Sequence, residues 1–434
     1  MSTPALTHPL RQPTFFRLWA ASFFTEVTRW GLLIAVPLYA LSLTGSALIT
    51  STVAMLGLLP SLVLTPLAGI FADRWNPARF LAWLAIVRGV LLLPLLLVQD
   101  MRHLWILYLV AAAEAGLTAM FESVKNALLP TVVAPAQLVT ANATTSLNSN
   151  LGRLVGSPLG GVMLTWAGIN GVVVAAVAPL VLTVMLVLTI SGTRAAGPPP
   201  GPGTAFWRES LGGLRTIWAS GRLRAVMIVV SLMSVAQGMF VILFLLFVTD
   251  LLGGGESEAG LLRGVQAVGG LIGGALAGII ARKLNMNQFV SHGLMIFALI
   301  SLATWNSALL TTALWVYVGL FVLAGAPGVW IMAGWLSVVQ RATPAGLRGR
   351  VMSSFLALSD GLQALGMLLA GVLVSFIPTL GLLNLQAAVL LLASVLAWRM
   401  LPGDRTDVPG AVVQPSEESH PSEESRASEE SRSS

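Results

Sequence analysis

Long apolar runs separated by short polar breaks set the rhythm of this chain. The run LLPSLVLTPLA closes on GIFADRWNPARF (69–80), and LAWLAIVRGVLLLPLLL follows at once. A helix rises 1.5 Å per residue, so about 20 apolar residues cross a hydrocarbon core. That ruler predicts twelve spans, near 18–43, 47–72, 80–99, 104–124, 138–165, 168–190, 223–249, 257–281, 288–308, 312–338, 350–376 and 379–400. Helices follow because backbone groups in lipid must be satisfied within each segment. The pattern predicts an all-α polytopic membrane protein.

Composition agrees. Of 434 residues 56% are hydrophobic and 10% charged, with mean hydropathy +0.84. A soluble domain carries about 25% charged residues. The formal charge of +6 comes from scattered arginines rather than basic blocks, which argues against a nucleic-acid partner. Cysteine is absent, so disulfides and thiolate chemistry are excluded. The first apolar run is too long for a signal-peptide core.

Catalytic motifs are missing. Lys125 and Lys283, the only lysines, belong to no GxxxxGK[ST] phosphate loop. His8, His103, His292 and His420 form no metal-ligand motif. There is no local signature of nucleophilic catalysis, so we expect no enzyme, no cofactor and no bound metal.

The basic residues predict the topology. With the N-terminus inside, inner loops and ends hold Arg11, Arg17, Arg74, Arg79, Lys125, Arg194, Arg208, Arg215, Arg222, Arg224, Arg282, Lys283, Arg341, Arg348, Arg350, Arg399, Arg405, Arg426 and Arg432. The outer loops hold only Arg102, beside Asp100, Asp250, Glu256 and Glu258. Both termini are expected in the cytoplasm.

Midway, SGTRAAGPPPGPGTAFWRESLGGLRTIWASGR (191–222) changes character. Its Pro/Gly part can hold no regular element. Beyond it Trp207, Leu211, Leu214 and Trp218 share one helical face, which suits either a helix in the membrane interface or a loosely ordered linker. A repeat supports dividing the chain there, because PLAGIFADRWN (66–76) and ALAGIIARKLN (275–285) match at six of eleven positions. The expected organisation is a cytoplasmic N-terminus (1–17), a six-helix bundle (18–190), a cytoplasmic linker (191–222), a second six-helix bundle (223–401) and a disordered cytoplasmic tail (402–434). The tail repeats PSEESH, PSEESR and ASEESR without apolar content.

The stretch 69–80 resembles the signature loop of the major facilitator superfamily, between its second and third helices. Gly69, Asp73 and Arg74 match it; Asn76 stands where the family has Gly, and Arg79 comes late. Asn tolerates a left-handed backbone better than most residues, so the turn is expected to survive. FESVKNALLP (121–130), TANATTSLNSNLGRLVGSPLGG (140–161) and QRATPAGLRGRV (340–351) resemble the bacterial branch with macrolide-efflux proteins and enterobactin-type exporters. The resemblance covers about residues 15–400. It implies the twelve-helix fold of two six-helix repeats and alternating access to a site between them. It also places Asp73 beside the start of the eleventh span, near Arg350, as a cytoplasmic gate that Gly69, Arg74 and Arg79 complete. A carboxylate at a helix N-terminus contributes about 0.3–2 kcal/mol. The alternative is that these charges only anchor a short loop.

Ionisable residues at membrane depth cost about 2.5 kcal/mol or more and mark pathways. Glu26, Arg29, Arg88, Glu114, Arg153 and Asp360 fall near mid-depth and are the candidate proton-coupling and cavity residues. Glu26 and Arg29, three apart, either neutralise each other or form a site where a carboxylate alternates between Arg and a proton. Arg29, Arg88 and Arg153 give the middle of the first half a positive excess, suited to an anionic or zwitterionic substrate; absorption of that charge by Glu26, Glu114, Asn148 and Asn150 is the other reading. Gly152, Gly156 and Gly160 form a close-packing stripe, as do Gly270, Gly274 and Gly278. With Pro158 the first stripe resembles the superfamily's antiporter motif, the Pro standing one place late. Trp305, Trp315 and Trp398 read as interface anchors, whereas Trp30, Trp330 and Trp335 lie deeper, where they line a cavity or simply pack.

The expected protein is a monomeric proton-coupled exporter of an amphiphilic, macrolide-like small molecule in a bacterial cytoplasmic membrane. Siderophore export, lipid or lysophospholipid movement, and a non-transporting receptor or scaffold on the same fold are the alternatives.

Overall fold

A computed structural model of the chain describes residues 9–61, 76–190, 213–280 and 286–401. They form eleven long helical elements: α1 (Pro13–Thr44), α2 (Ala47–Leu56), α3 (Pro77–Leu92), α4 (Leu104–Val132), α5 (Leu138–Leu188), α6 (Gly221–Leu246), α7 (Glu256–Ile280), α8 (Met286–Asn306), α9 (Leu314–Ala342), α10 (Arg348–Leu373) and α11 (Thr379–Met400). Among the described residues there is no strand. Ten helical stretches are long and apolar enough to cross a membrane, and Ala47–Ser61 is a shorter apolar helix.

The count of twelve holds because α5 contains two spans. Gly168 divides it with φ 59° and ψ −153°, a backbone conformation essentially confined to glycine. Gly45 plays a related part after α1: at φ 62° it ends the helix in the left-handed region, and its N–H bonds the Leu41 carbonyl at 2.7 Å.

The turns at Gly45, Gly168 and Gly253 lie at one end of the bundle, called the turn end. The start of α1 and the close of α11 lie at the other, the terminal end. At the turn end a single apolar core runs through both groups of helices, from Leu38 and Leu164 to Phe247, Trp305 and Leu382. Toward the terminal end the core divides. Phe15, Leu81, Phe121 and Val187 pack together on one side, and Leu223, Leu294, Val338 and Phe355 on the other.

Contacts between the two groups run through α5 with α7 and α2 with α10. Small residues make them close. A Cβ on Gly260 would lie 2.5 Å from the Ser157 carbonyl oxygen, and one on Gly264 would lie 2.6 Å from the Pro158 ring. Gly371 of α10 faces Ser51 and Ala47 of α2 in the same way. Thr165 adds a hydrogen bond to Glu256 at 3.4 Å.

One expectation needs correction here. Asn76 is not left-handed: its φ of −62° and ψ of 119° make it the N-cap of α3, and its side chain accepts from the Arg79 N–H. Asn satisfies an otherwise unpaired donor there, and Pro77 follows where a missing N–H does no harm. At the end of the linker, residues 213–219 are helical, with Ile217 fully buried and Trp218 59% exposed. Gly213 sits against Arg350 and Ser354 at the start of α10. Trp207 and Leu211 lie outside the described residues.

Candidate functional site

A cavity of about 340 Å³ opens among α1, α2, α3 and α4 and is completed by Asp360 of α10. Its wall is mostly apolar, with Leu32, Val36, Val53, Leu58 and Leu92. Its ionisable residues are Arg29, Glu114, Glu122 and Asp360. Three carboxylates therefore face one guanidinium. The positive excess expected from sequence does not line this cavity: Arg88 and Arg153 are absent from its wall.

Arg88 is fully buried behind Glu114. Its Nε and Nη2 both donate to Glu114 Oε1, at 2.9 and 2.6 Å, and Thr118 Oγ1 approaches the same oxygen at 3.4 Å. This pair joins α3 to α4. Glu26 and Arg29 pair within α1, with Nη1 at 3.0 and 3.3 Å from the two carboxylate oxygens. Lys125 pairs with Glu122 and donates to Ser22 Oγ at 3.3 Å. Lys125 is buried, which its place in the loop pattern 121–130 concealed.

Asp360 differs from these. Among the described residues it makes no ion pair within 4.0 Å, although Arg29 lies close enough to attract it. It is the unpaired carboxylate of the cavity.

The stripe Gly152, Gly156 and Gly160 lies flat on α1. A Cβ on Gly152 would fall 2.5 Å from Glu26 Cβ, and one on Gly160 would fall 2.5 Å from the Gly31 carbonyl oxygen; Gly156 faces the Val27 carbonyl. Ser157, Pro158 and Gly161 point from the opposite face of α5 toward α7. One helix thus packs against both groups of helices through small residues. The second stripe needs correction. α7 meets α9 through Gly269, against Val322, and Gly273, against Ala326. Gly270 faces Asn150 and Arg153 of α5 instead. One register step on a helix rotates a residue by about 100°, and counting small residues cannot select between neighbouring stripes.

The tryptophans sort by environment. Trp315 and Trp398 are 80% and 69% exposed, but Trp305 is 2% exposed. Trp305 is a core residue, packed edge-on to Phe247 and bonded to Gln386 at 3.4 Å. Trp330 donates to the Gly273 carbonyl at 2.8 Å, and Trp335 stacks on Phe355. Neither lines the cavity, and Trp30 does not line it either.

Of the proposed gate, Gly69, Asp73 and Arg74 lie outside the described residues. Arg79 and Arg350 are exposed at the terminal end, on the first turns of α3 and α10.

Two packed groups of helices, ten stretches of which are apolar and long enough to cross a membrane among the described residues, define a multi-pass membrane protein. The model of the Major Facilitator Superfamily matches residues 18–362, and the chain belongs to that family. Multidrug efflux pump Tap of Mycolicibacterium fortuitum is 29% identical over 84% of this chain and 90% of its own length. Macrolide efflux protein A of Streptococcus pyogenes is 24% identical over 61% of this chain and 66% of its own. Among solved structures, a bacterial homologue of the iron transporter ferroportin in an inward-facing state superposes with TM-score 0.68 at 19% identity, covering 90% of this chain and 98% of that one. A nucleoside transporter superposes with TM-score 0.72 at 14% identity, covering 89% and 99%. The chain is a transporter, not an enzyme, and its bacterial efflux relatives agree with a bacterial inner membrane.

Proposed function

We propose that this chain exports an amphiphilic, drug-like molecule in exchange for protons, its two six-helix halves (18–190 and 223–401) rocking about the cavity between them. Both termini lie in the cytoplasm, as the arginine distribution requires. The turn end then faces outward, and the divided core at the terminal end corresponds to an inward-facing conformation. The observation that carries the reading is Asp360, an unpaired carboxylate from the second half completing an apolar cavity of the first.

Its chemistry follows from charge. A cationic amphiphile entering from the cytoplasm finds apolar walls for its body and a surplus of carboxylates for its charge. Protonation of Asp360 removes one of those charges and releases its attraction to Arg29, so cargo and proton compete for one group. Glu26, held by Arg29, responds when that attraction changes. Asp73 with Gly69, Arg74, Arg79 and Arg350 forms the cytoplasmic gate that alternates with the small-residue contacts at the turn end. Relatives that carry efflux in their names support export as the direction.

The test uses inside-out vesicles acidified by respiration and a pH-sensitive dye. Macrolides and cationic dyes are added in turn. At least one compound should collapse the gradient with the intact chain, and Asp360→Asn should abolish the response at equal protein level. A response that Asp360→Asn leaves unchanged removes Asp360 from coupling.

A further inference from the structure

A second group of charges gathers around Trp30, which does not line the cavity. Trp30 carries three guanidiniums around its indole: Arg29 at 5.4 Å, Arg153 at 5.3 Å and Arg263 at 5.8 Å from the ring centroid. Arg29 is neutralised by Glu26. Arg153 and Arg263 have no carboxylate within 4.0 Å among the described residues. Each makes a single hydrogen bond, to a neutral amide: Arg153 Nη2 to Asn150 Oδ1 at 3.0 Å, and Arg263 Nη1 to Gln266 Oε1 at 2.8 Å. The remaining nitrogens, Nε and Nη1 of Arg153 and Nε and Nη2 of Arg263, are left without acceptors. Arg263 is 7% exposed, and Arg153 Nε is wholly buried.

Two like charges at membrane depth repel each other and carry a heavy desolvation cost. Cation–π contact with Trp30, and of Arg263 with Phe240 at 4.9 Å, recovers only part of it. Guanidinium pairs whose donors converge are suited to a planar or tetrahedral oxyanion, which accepts several charge-assisted bonds at once. Gly270 lets α7 come close to them: a Cβ there would lie 3.0 Å from Asn150 Oδ1 and 3.3 Å from Arg153 Nη2. The two arginines also come from opposite halves, α5 and α7, so an anion between them would join the halves at mid-depth.

We propose that Arg153, Arg263 and Trp30 form an oxyanion site, distinct from the Asp360 cavity, that takes a carboxylate or phosphate group of a freely diffusing molecule. The two sites sit on either side of Arg29, which belongs to both. A zwitterionic molecule could reach both at once, its cation toward Asp360 and its anion toward the arginine pair.

Equilibrium binding of radiolabelled inorganic phosphate to the purified full chain in phosphatidylcholine nanodiscs tests this. The intact chain should bind phosphate saturably, near one site per chain. Arg153→Gln and Arg263→Gln should each weaken binding about tenfold or more, the loss expected when a charge-assisted bond is removed. Gly319→Ala, where nothing lies within 4 Å of a Cβ, should bind as tightly as the intact chain. Absence of saturable phosphate binding to the intact chain overturns the proposal without reference to any variant. Equal binding by both arginine variants overturns it too, because the phosphate then sits elsewhere.

Discussion

Arg88 and Asp360 are both ionisable residues at membrane depth, yet their surroundings divide them. Arg88 is closed off: it is fully buried, and two of its nitrogens grip one Glu114 oxygen. Asp360 faces open space beside Arg29 with no partner in contact. A charge whose partner is fixed holds helices together, whereas a charge without one is free to take a proton or a ligand. The first supports the wall of the cavity, and the second is the group to which the proposed function gives its proton.

Ranked by effect on stability, the contrast can be broken in four places. Arg88→Gln leaves Glu114 buried without its cation and should cost about 3–5 kcal/mol; the thermal midpoint of purified protein checks this. Combining Arg88→Met with Glu114→Leu should recover most of that loss, since replacing a whole buried pair is often neutral. Gly156→Ala comes next. Its methyl would meet the Val27 backbone, and the resulting overpacking should cost about 1–3 kcal/mol. Gly319→Ala is its control, because nothing lies within 4 Å of a Cβ there. Glu26→Gln should cost about 1 kcal/mol or less, because its partner Arg29 is 42% exposed in its side chain. It should also shift the pH dependence of transport, since Asp360 is then the one cavity carboxylate near Arg29 that no other cation holds among the described residues. Asp360→Asn should leave the melting midpoint within the scatter of surface substitutions, about 0.5 kcal/mol, while transport falls to background. A large melting shift with retained transport would reverse the assignment of Arg88 and Asp360.

A comparable contrast separates the two ends of the molecule. The two groups of helices meet at the turn end through backbone contact at Gly161 and Gly260 and through Gly371 against the Ser51 side chain, where any larger residue would collide. The terminal end has two separate cores instead. At the turn end small residues and one shared apolar core join the two groups, whereas at the terminal end each group packs on its own core.

Much of this was legible along the chain. The twelve spans and the Gly152/Gly156/Gly160 stripe were visible in the string, as was the presence of Glu26, Arg29, Arg88, Glu114, Arg153 and Asp360 within apolar segments. Glu26 with Arg29 was visible as a pair because three residues bring two side chains onto one face. Arg88 with Glu114 was not, since their 26-residue separation is bridged only when α3 packs on α4. Arg263 carries no signal along the chain; only the packing of α7 sets it against Trp30. Trp305, expected at the interface, is buried because Phe247 and Gln386 close over it.

The sequence by itself determined the helices, their number and their membrane setting, because a bilayer imposes a local rule: each segment must satisfy its own backbone and present about 20 apolar residues to lipid. Only the tertiary structure decided which charges are neutralised and which remain open, which glycine stripe meets which neighbour, and which end of the bundle is shut. Those outcomes depend on the rotation and approach of helices far apart in the chain, where a 100° turn about one axis exchanges a packed residue for an exposed one.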